Sequence, residues 1–471
     1  MFNISFITTK HHTPYKINKL ELTAASKPIV YAAPTAQSER IIILDSLRGI
    51  AIMGILLMNI ASMGSPLYSD PSVMNETSWN YRSWYVMSWF FDGSQRALFS
   101  LLFGAGIVLF ITNQEKKLTG IQAADVFFRR QLWLLVFGLI NLYILLWHGD
   151  ILFDYACCGM LMFVFRNWAP KKLIIAAVLC LLVMIAVDNK DLYHEKKNIS
   201  RGEAIAAIDT SVNKLTLLQK EDLKAMNELK ESSSLESRKK RVETAIARMT
   251  NDYRWVYETR TSSYRRNFFA FSYFGIWDVL QFMFLGMAFF KNGILLGKGS
   301  TRIYLLMCII GLGVGLTLSY FRVQDYINSG YNNFENTKSA LFHYYQLDRA
   351  FRTLGMFGTI MLLYKSGLFK WFFALMRAPG QMAFTNYLMQ SLIALILFYG
   401  IGFALYGQLE RHQLYLVVFA VWIFQIIFSH IWLRYYRFGP FEWAWRSLTY
   451  WKRQPMKKTI AGKIINNNYS A

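Results

Sequence analysis

The stretch "LDSLRGIAIMGILLMN", residues 44–59, sets Asp45, Arg48 and Asn59 into an otherwise apolar helix. An ionisable group near hydrocarbon costs several kcal/mol, so something must hold these side chains there. At about 100° per residue, Arg48 and Asn59 return to nearly the same face about 16 Å apart along the axis, and Asp45 lies one turn before Arg48. Such a face has two uses. One is an i, i+3 ion pair plus a helix–helix hydrogen bond. The other is a polar seam lining a cavity across the membrane.

Further groups could face that seam. Asp92 and Arg96 precede "FSLLFGAGI", where Gly104 and Gly106 permit close approach by a helix or a ligand. "LLWHGDILFDY" gathers His148, Asp150 and Asp154, and a carboxylate beside a histidine orients it and raises its pKa for acid–base work. Asp278 lies well inside an apolar window, which argues against a decorative role. Asn386 and Gln390 share a face at i, i+4, where interhelical hydrogen bonding is the simplest use. Asp348, Arg349 and Arg352 are placed to snorkel from a helix start. No histidine pair has metal-ligand spacing, so no metal is expected. Nucleotide-binding glycine loops and nucleophile-elbow motifs are absent from the sequence.

The elements that must position these groups are membrane helices. The composition is 54% hydrophobic, 17% aromatic and only 17% charged, and the apolar residues are clumped. A net charge of +22 invites thoughts of nucleic acid, but the positive residues are dispersed among connections rather than interleaved with aromatics in a stripe. Apolar windows predict an all-α polytopic membrane protein of about ten spans. They lie near 43–63, 96–113, 131–147, 151–166, 171–188, 271–290, 303–321, 350–365, 381–400 and 413–434. Lys and Arg concentrate in alternate connections, which favours cytoplasmic N and C termini.

Five parts follow. They are a cytoplasmic tail (1–40), an N-terminal transmembrane half (41–188), an extracytoplasmic helical insertion (189–270), a C-terminal transmembrane half (271–452) and a basic cytoplasmic tail (453–471). "SWYVMSWFFDG" (83–93) and "GPFEWAWRSLTYW" (439–451) read as interfacial elements. The latter sets Trp443, Trp445, Tyr450 and Trp451 at an aromatic belt and spaces Glu442 and Arg446 for a local pair. Cys157, Cys158, Cys180 and Cys308 all fall in apolar segments and read as small buried residues.

In this order, "LDSLRGIAIMGILLMNI", "RALFSLLFGAGIVLF", "GDILFDYACCGML", "FLGMAFFKNGIL", "GQMAFTNYLMQSLI" and "FGPFEWAWRSLTY" resemble the YeiB-like family of bacterial membrane proteins. Its C-terminal half is catalogued as domain of unknown function 418. The first helix of that family is similar to that of the lysosomal heparan-alpha-glucosaminide N-acetyltransferase and, more remotely, to bacterial membrane O-acyltransferases that modify surface sugars. The resemblance implies an acyltransferase-like bundle in the bacterial inner membrane. Acetyl-CoA or another acyl-CoA would enter from the cytoplasm, and a lipid-linked or sugar acceptor would be modified on the far side.

Asp45, Arg48, Arg96, Gly104 and Gly106 are then expected at the donor mouth, and Asp92, Asp278, Asn386 and Gln390 along the cavity. Asn59, His148, Asp150 and Asp154 are expected near the transfer point. The O-acyltransferases typically carry histidine where this chain has Asn59, and residues 60–95 contain none, so His148 is the candidate base by chemistry and predicted side of the membrane. Expected partners are membrane lipids, the acceptor and a second copy of the chain, with no nucleic acid. Two other readings share the same cavity: a transporter of a small polar or amphipathic molecule, and a non-catalytic lipid-binding scaffold.

Overall fold

In a computed structural model, residues 41–65, 70–118, 121–208 and 214–458 are described. Among them there is no β-strand, only a bridge between Tyr436 and Lys457. The chain runs α1 (Ile42–Gly64), α2 (Trp79–Val86), a π-helical turn (Met87–Phe91), α3 (Ser94–Glu115), α4 (Ile121–Tyr143), α5 (Leu152–Met162), α6 (Pro170–Ala206), α7 (Leu217–Ser233) and α8 (Leu235–Met249). It continues through α9 (Tyr253–Lys291), α10 (Thr301–Asn328), α11 (Asn333–Ser339), α12 (Tyr345–Ser366), α13 (Lys370–Gln381), α14 (Ala383–Phe398), α15 (Arg411–Tyr435) and α16 (Pro440–Tyr450).

The distribution of side chains is that of a membrane bundle. Ile175, Leu179 and Leu182 on α6, Leu306 and Ile309 on α10, and Leu416, Ile423 and Ile427 on α15 are exposed, while Asn141, Asn386, Gln425, Asp348, Arg349 and Arg352 are buried. A soluble protein would invert that arrangement; here the apolar belt faces outward and the polar groups find partners inside.

Fewer helices pass a test of length and apolarity than the ten apolar windows suggest. Among the described residues, five helical stretches are long and apolar enough to cross a membrane: Ile42–Gly64, Trp79–Glu115, Pro170–Ala206, Thr301–Asn328 and Arg411–Tyr435. The pair α13 and α14, bent by 76°, makes a sixth if taken as one span. The window 151–166 is mostly α5, whose 11 residues rise only about 16 Å against a hydrocarbon core of about 30 Å. The windows at 131–147, 271–290 and 350–365 fall in α4, α9 and α12, helices that carry Arg129 and Arg130, Asp278, and Asp348, Arg349 and Arg352 respectively.

The long polar segment after residue 188 does not begin with a break. Helix α6 continues to Ala206, and α9 starts at Tyr253 and runs on to Lys291. Between them α7 opens on a capping box in which Thr216 and Gln219 satisfy each other's backbone N–H groups. Ile199, Met226 and Phe334 form a small core joining α6, α7 and α11.

Two close helix contacts set the frame. A Cβ on Gly49 would lie 2.1 Å from Met376 O, and one on Gly380 would lie 1.7 Å from Asp45 O, so α1 and α13 touch backbone to backbone. Pro379 sits inside α13, and the chain turns at Met382 before α14. The freed N–H groups of Phe384 and Thr385 donate to Glu442 Oε1 at 2.8 and 3.1 Å. Glu442 therefore caps α14 from α16.

Candidate functional site

A cavity of about 230 Å³ opens at the end of the bundle where α1 begins, between α1, α3, α4, α14 and α16. Its depth is apolar, with Phe99, Phe103, Ile107, Phe127, Leu134 and Leu152 on the wall. Three cations share it: Arg48, Arg130 and Arg446. Arg48 Nη1 reaches Asp45 Oδ1 at 3.2 Å, a long pair with a half-exposed guanidinium. Arg130 has no carboxylate partner among the described residues; its guanidinium lies 3.7 Å from the ring centre of Trp445 and 4.8 Å from that of Phe110. Both Arg48 and Arg446 are near enough to repel its charge. Arg130 on its aromatic faces, with two further guanidinium groups beside it above an apolar pocket, forms a site for an anion attached to an apolar body.

Two acceptor atoms on the same wall have no hydrogen-bond partner among the described residues, Asp45 Oδ2 and Gln131 Oε1, and Gln131 is only 2% exposed. A buried acceptor left open asks for a donor, and here the donor must come from whatever enters. Deeper in, Tyr387 donates from Oη to Asp150 Oδ1 at 3.2 Å while accepting from Ile151 N at 3.1 Å. Asp150 is further fixed by Asn141 Nδ2 at 2.7 Å and Phe153 N at 3.0 Å. Tyr155, also on the wall, donates from Oη to Arg96 O at 3.2 Å.

Of the residues singled out by type and spacing, Asp45, Arg48 and Gly106 line this cavity. Gly106 has open space, its nearest neighbour being Arg48 Nη2 at 3.6 Å from an added Cβ, whereas Gly104 is pressed against Met283 O of α9. One glycine faces the cavity and the other a helix. Arg96 and Arg349 both pair with Asp278 on α9, and Arg349 Nη2 also donates to Gln346 Oε1 at 2.7 Å. Asp92 Oδ2 meets Arg322 Nη1 at 3.3 Å. Asn386 Nδ2 donates to Pro379 O and Ser429 Oγ, both at 3.1 Å, and Gln390 Nε2 to Gln425 Oε1 at 3.1 Å and Ile52 O at 3.3 Å. Asp154 stands in the first turn of α5, and Asn59 is half-buried on α1; neither is on the cavity wall.

His148 departs from its expected setting. Its Nδ1 lies 2.8 Å from Arg260 Nη1, and Arg260 Nη2 donates to Tyr399 Oη at 2.8 Å. A guanidinium only donates, so Nδ1 must accept and the imidazole proton sits on Nε2. Burial in the 144–151 loop and the Arg260 charge push its pKa down to about 3, the reverse of the rise that an adjacent carboxylate would cause. In this state His148 offers a donor at Nε2, not a base.

Several members of the site were not singled out from sequence. Arg130 belongs to "FFRRQLW" and read as a positive connection; Trp445 and Tyr450 read as belt aromatics. Trp445 is instead buried beneath Arg130, with Nε1 donating to Arg130 O at 2.9 Å. Asp348, Arg349 and Arg352 do not snorkel: all three are at most 1% exposed, and Asp348 Oδ1 pairs with Arg352 and Oδ2 with Arg322.

Residues 289–452, which include α10 to α16 and with them the cavity's Glu442, Trp445, Arg446 and Tyr450, match a family described as Protein of unknown function (DUF418). The chain thus carries a DUF418 region and is similar to YeiB-like proteins. It is 29% identical over 366 residues to the uncharacterized protein YxaH of Bacillus subtilis (strain 168), covering 77% of this chain and 80% of the relative. It is 28% identical over 423 residues to an uncharacterized 39.9 kDa protein in the amylase 3' region of Bacillus acidopullulyticus, covering 90% and 97%. The uncharacterized protein YeiB of Escherichia coli (strain K12) is 34% identical over 176 residues, 37% of this chain and 44% of YeiB. No solved structure matches the chain.

Proposed function

We propose that this DUF418 membrane protein binds an acyl-CoA through the arginine mouth and transfers its acyl group to an acceptor supplied from within the bundle or from its other side. The observation that carries the reading is the coincidence in one cavity of Arg48, Arg130 and Arg446, an unpartnered Gln131 Oε1 and an apolar interior. Phosphates match the guanidinium groups, an amide N–H of the pantetheine arm matches Gln131 Oε1, and the acyl chain matches Phe103, Ile107 and Leu134.

In this reading the acceptor hydroxyl or amine attacks the thioester carbonyl, the C–S bond breaks, and the acceptor's proton passes to Tyr387 as Tyr387 hands its own to Asp150. Asp150 then returns a proton to the departing thiolate. His148, neutral and donating from Nε2, takes no proton and orients polar groups at the opposite end of α1. The mouth is assigned to the cytoplasmic face of a bacterial inner membrane, following the excess of Lys and Arg in the connections at that end.

Equilibrium binding of acetyl-CoA to the purified full chain tests the proposal. Arg130→Gln removes a charged contact of about 1.5–3 kcal/mol, so affinity should fall by about 10- to 150-fold. Affinity unchanged in Arg130→Gln and in Arg48→Gln, or equal for acetyl-CoA and a phosphate-free acyl thioester, would overturn it.

A further inference from the structure

A second concavity of about 370 Å³ lies at the end of the bundle where α10 finishes and α12 begins, walled by α2, the π-helical turn, the last turns of α10, α11 and the loop into α12. It shares no lining residue with the arginine mouth. Five aromatic side chains line it: Trp84, Tyr326, Phe342, Tyr344 and Tyr345. Trp84 is only 7% exposed, and its position is fixed by Tyr326 at 6.4 Å and Tyr331 at 5.9 Å between ring centres. Phe342 and Tyr344 lie 5.3 Å apart.

The polar groups on the same wall are open. The Asp325 carboxylate, the His343 imidazole, the Ser88 hydroxyl and Asn336 Oδ1 make no side-chain hydrogen bond among the described residues, and Asn336 Oδ1 is itself buried. Arg322, by contrast, is already engaged: Nε meets Asp348 Oδ2 at 2.7 Å, Nη1 meets Asp92 Oδ2 at 3.3 Å, and Nη2 donates to Ser88 O at 3.1 Å.

We propose that this concavity is a ligand site for a neutral saccharide ring. Aromatic faces pack against the C–H face of a pyranose, while mixed donors and acceptors spread around the wall match hydroxyls that both give and take hydrogen bonds. An anion finds no free cation, because the charge of Arg322 is spent on Asp348 and Asp92. An ammonium would use Asp325 and the rings but leave the imidazole, the hydroxyl and the carboxamide unmatched. The site stands on its own geometry and does not rest on acyl transfer at the arginine mouth.

The test is calorimetric titration of the purified full chain in nanodiscs with methyl glucoside, methyl galactoside and N-acetylglucosamine, with choline and inorganic phosphate as comparison ligands. At least one sugar should bind saturably. Its affinity should fall by about tenfold in Trp84→Ala, and it should fall also in Asp325→Asn, an exposed position whose change leaves the fold intact. Absence of saturable sugar binding up to about 50 mM, equal binding in both variants, or binding of choline or phosphate in place of the sugars would overturn the proposal.

Discussion

Asp278→Asn should be strongly destabilising, and the structure says by how much. The carboxylate, 7% exposed, is shared by Arg349 and Arg96. Arg349 is 1% exposed; apart from Asp278, its guanidinium donates to the neutral Gln346 Oε1, while its Nε is unpartnered among the described residues. Removing the carboxylate strands that charge, at a cost of about 3–5 kcal/mol. Arg96 is 31% exposed, so its share is that of a screened pair, under about 1 kcal/mol. Rings at 5.1 Å (Tyr345) and 5.6 Å (Phe282) from Arg349 soften the loss toward the lower end. The double variant Asp278→Asn/Arg349→Met deletes both charges and should recover most of the deficit, giving a coupling of about 2 kcal/mol or more. Unfolding in mixed detergent micelles reads both quantities. An Asp278→Asn protein within about 1 kcal/mol of wild type, or purely additive singles, would refute the claim that this network holds α3, α9 and α12 together.

Gly106→Leu points a side chain into open space beside Arg48; acetyl-CoA binding should be lost while unfolding stability stays within about 1 kcal/mol of wild type, and retained binding would contradict the cavity assignment. Gly380→Val meets Asp45 O at 1.7 Å with its first carbon; α1 and α13 must separate, costing about 1–3 kcal/mol or more, and a wild-type unfolding curve would contradict the backbone contact. His148 has its pKa near 3 in the folded protein, below the usual value near 6.5 for a free imidazole. Its neutral form therefore supports stability fully above pH 6.5 and loses about 1.4 kcal/mol per unit as pH falls from 6.5 toward 3. The measured loss between pH 7 and 5 should shrink in His148→Gln, and superimposable pH profiles would count against the Arg260 contact.

Local spacing carried part of the site. Asp45 and Arg48, one turn apart, pair and face one cavity, and the intramembrane position of Asp278 marked a buried partner-bound group. Three features depend on partners far along the chain, and no local pattern encodes them. Arg130 looks like any positive connection until Trp445 is folded beneath it. Arg349 and Arg352 look placed to snorkel until α10 supplies Arg322 and α9 supplies Asp278. The donors of Phe384 and Thr385 look like helix interior until Pro379 breaks the helix and Glu442 arrives from α16. Windowed hydropathy marks more segments than are long and apolar enough to span among the described residues, for a related reason. It scores apolar runs, and a run such as α5 serves the inside of the bundle as well as it would serve lipid.

The arginine mouth is tested most directly by a density map of the purified protein with acetyl-CoA. Phosphate density should lie between Arg48, Arg130 and Arg446, with the pantetheine arm passing Gln131 toward Tyr387. Phosphates elsewhere, or that cavity filled by a lipid tail while acetyl-CoA is present at saturating concentration, would contradict it.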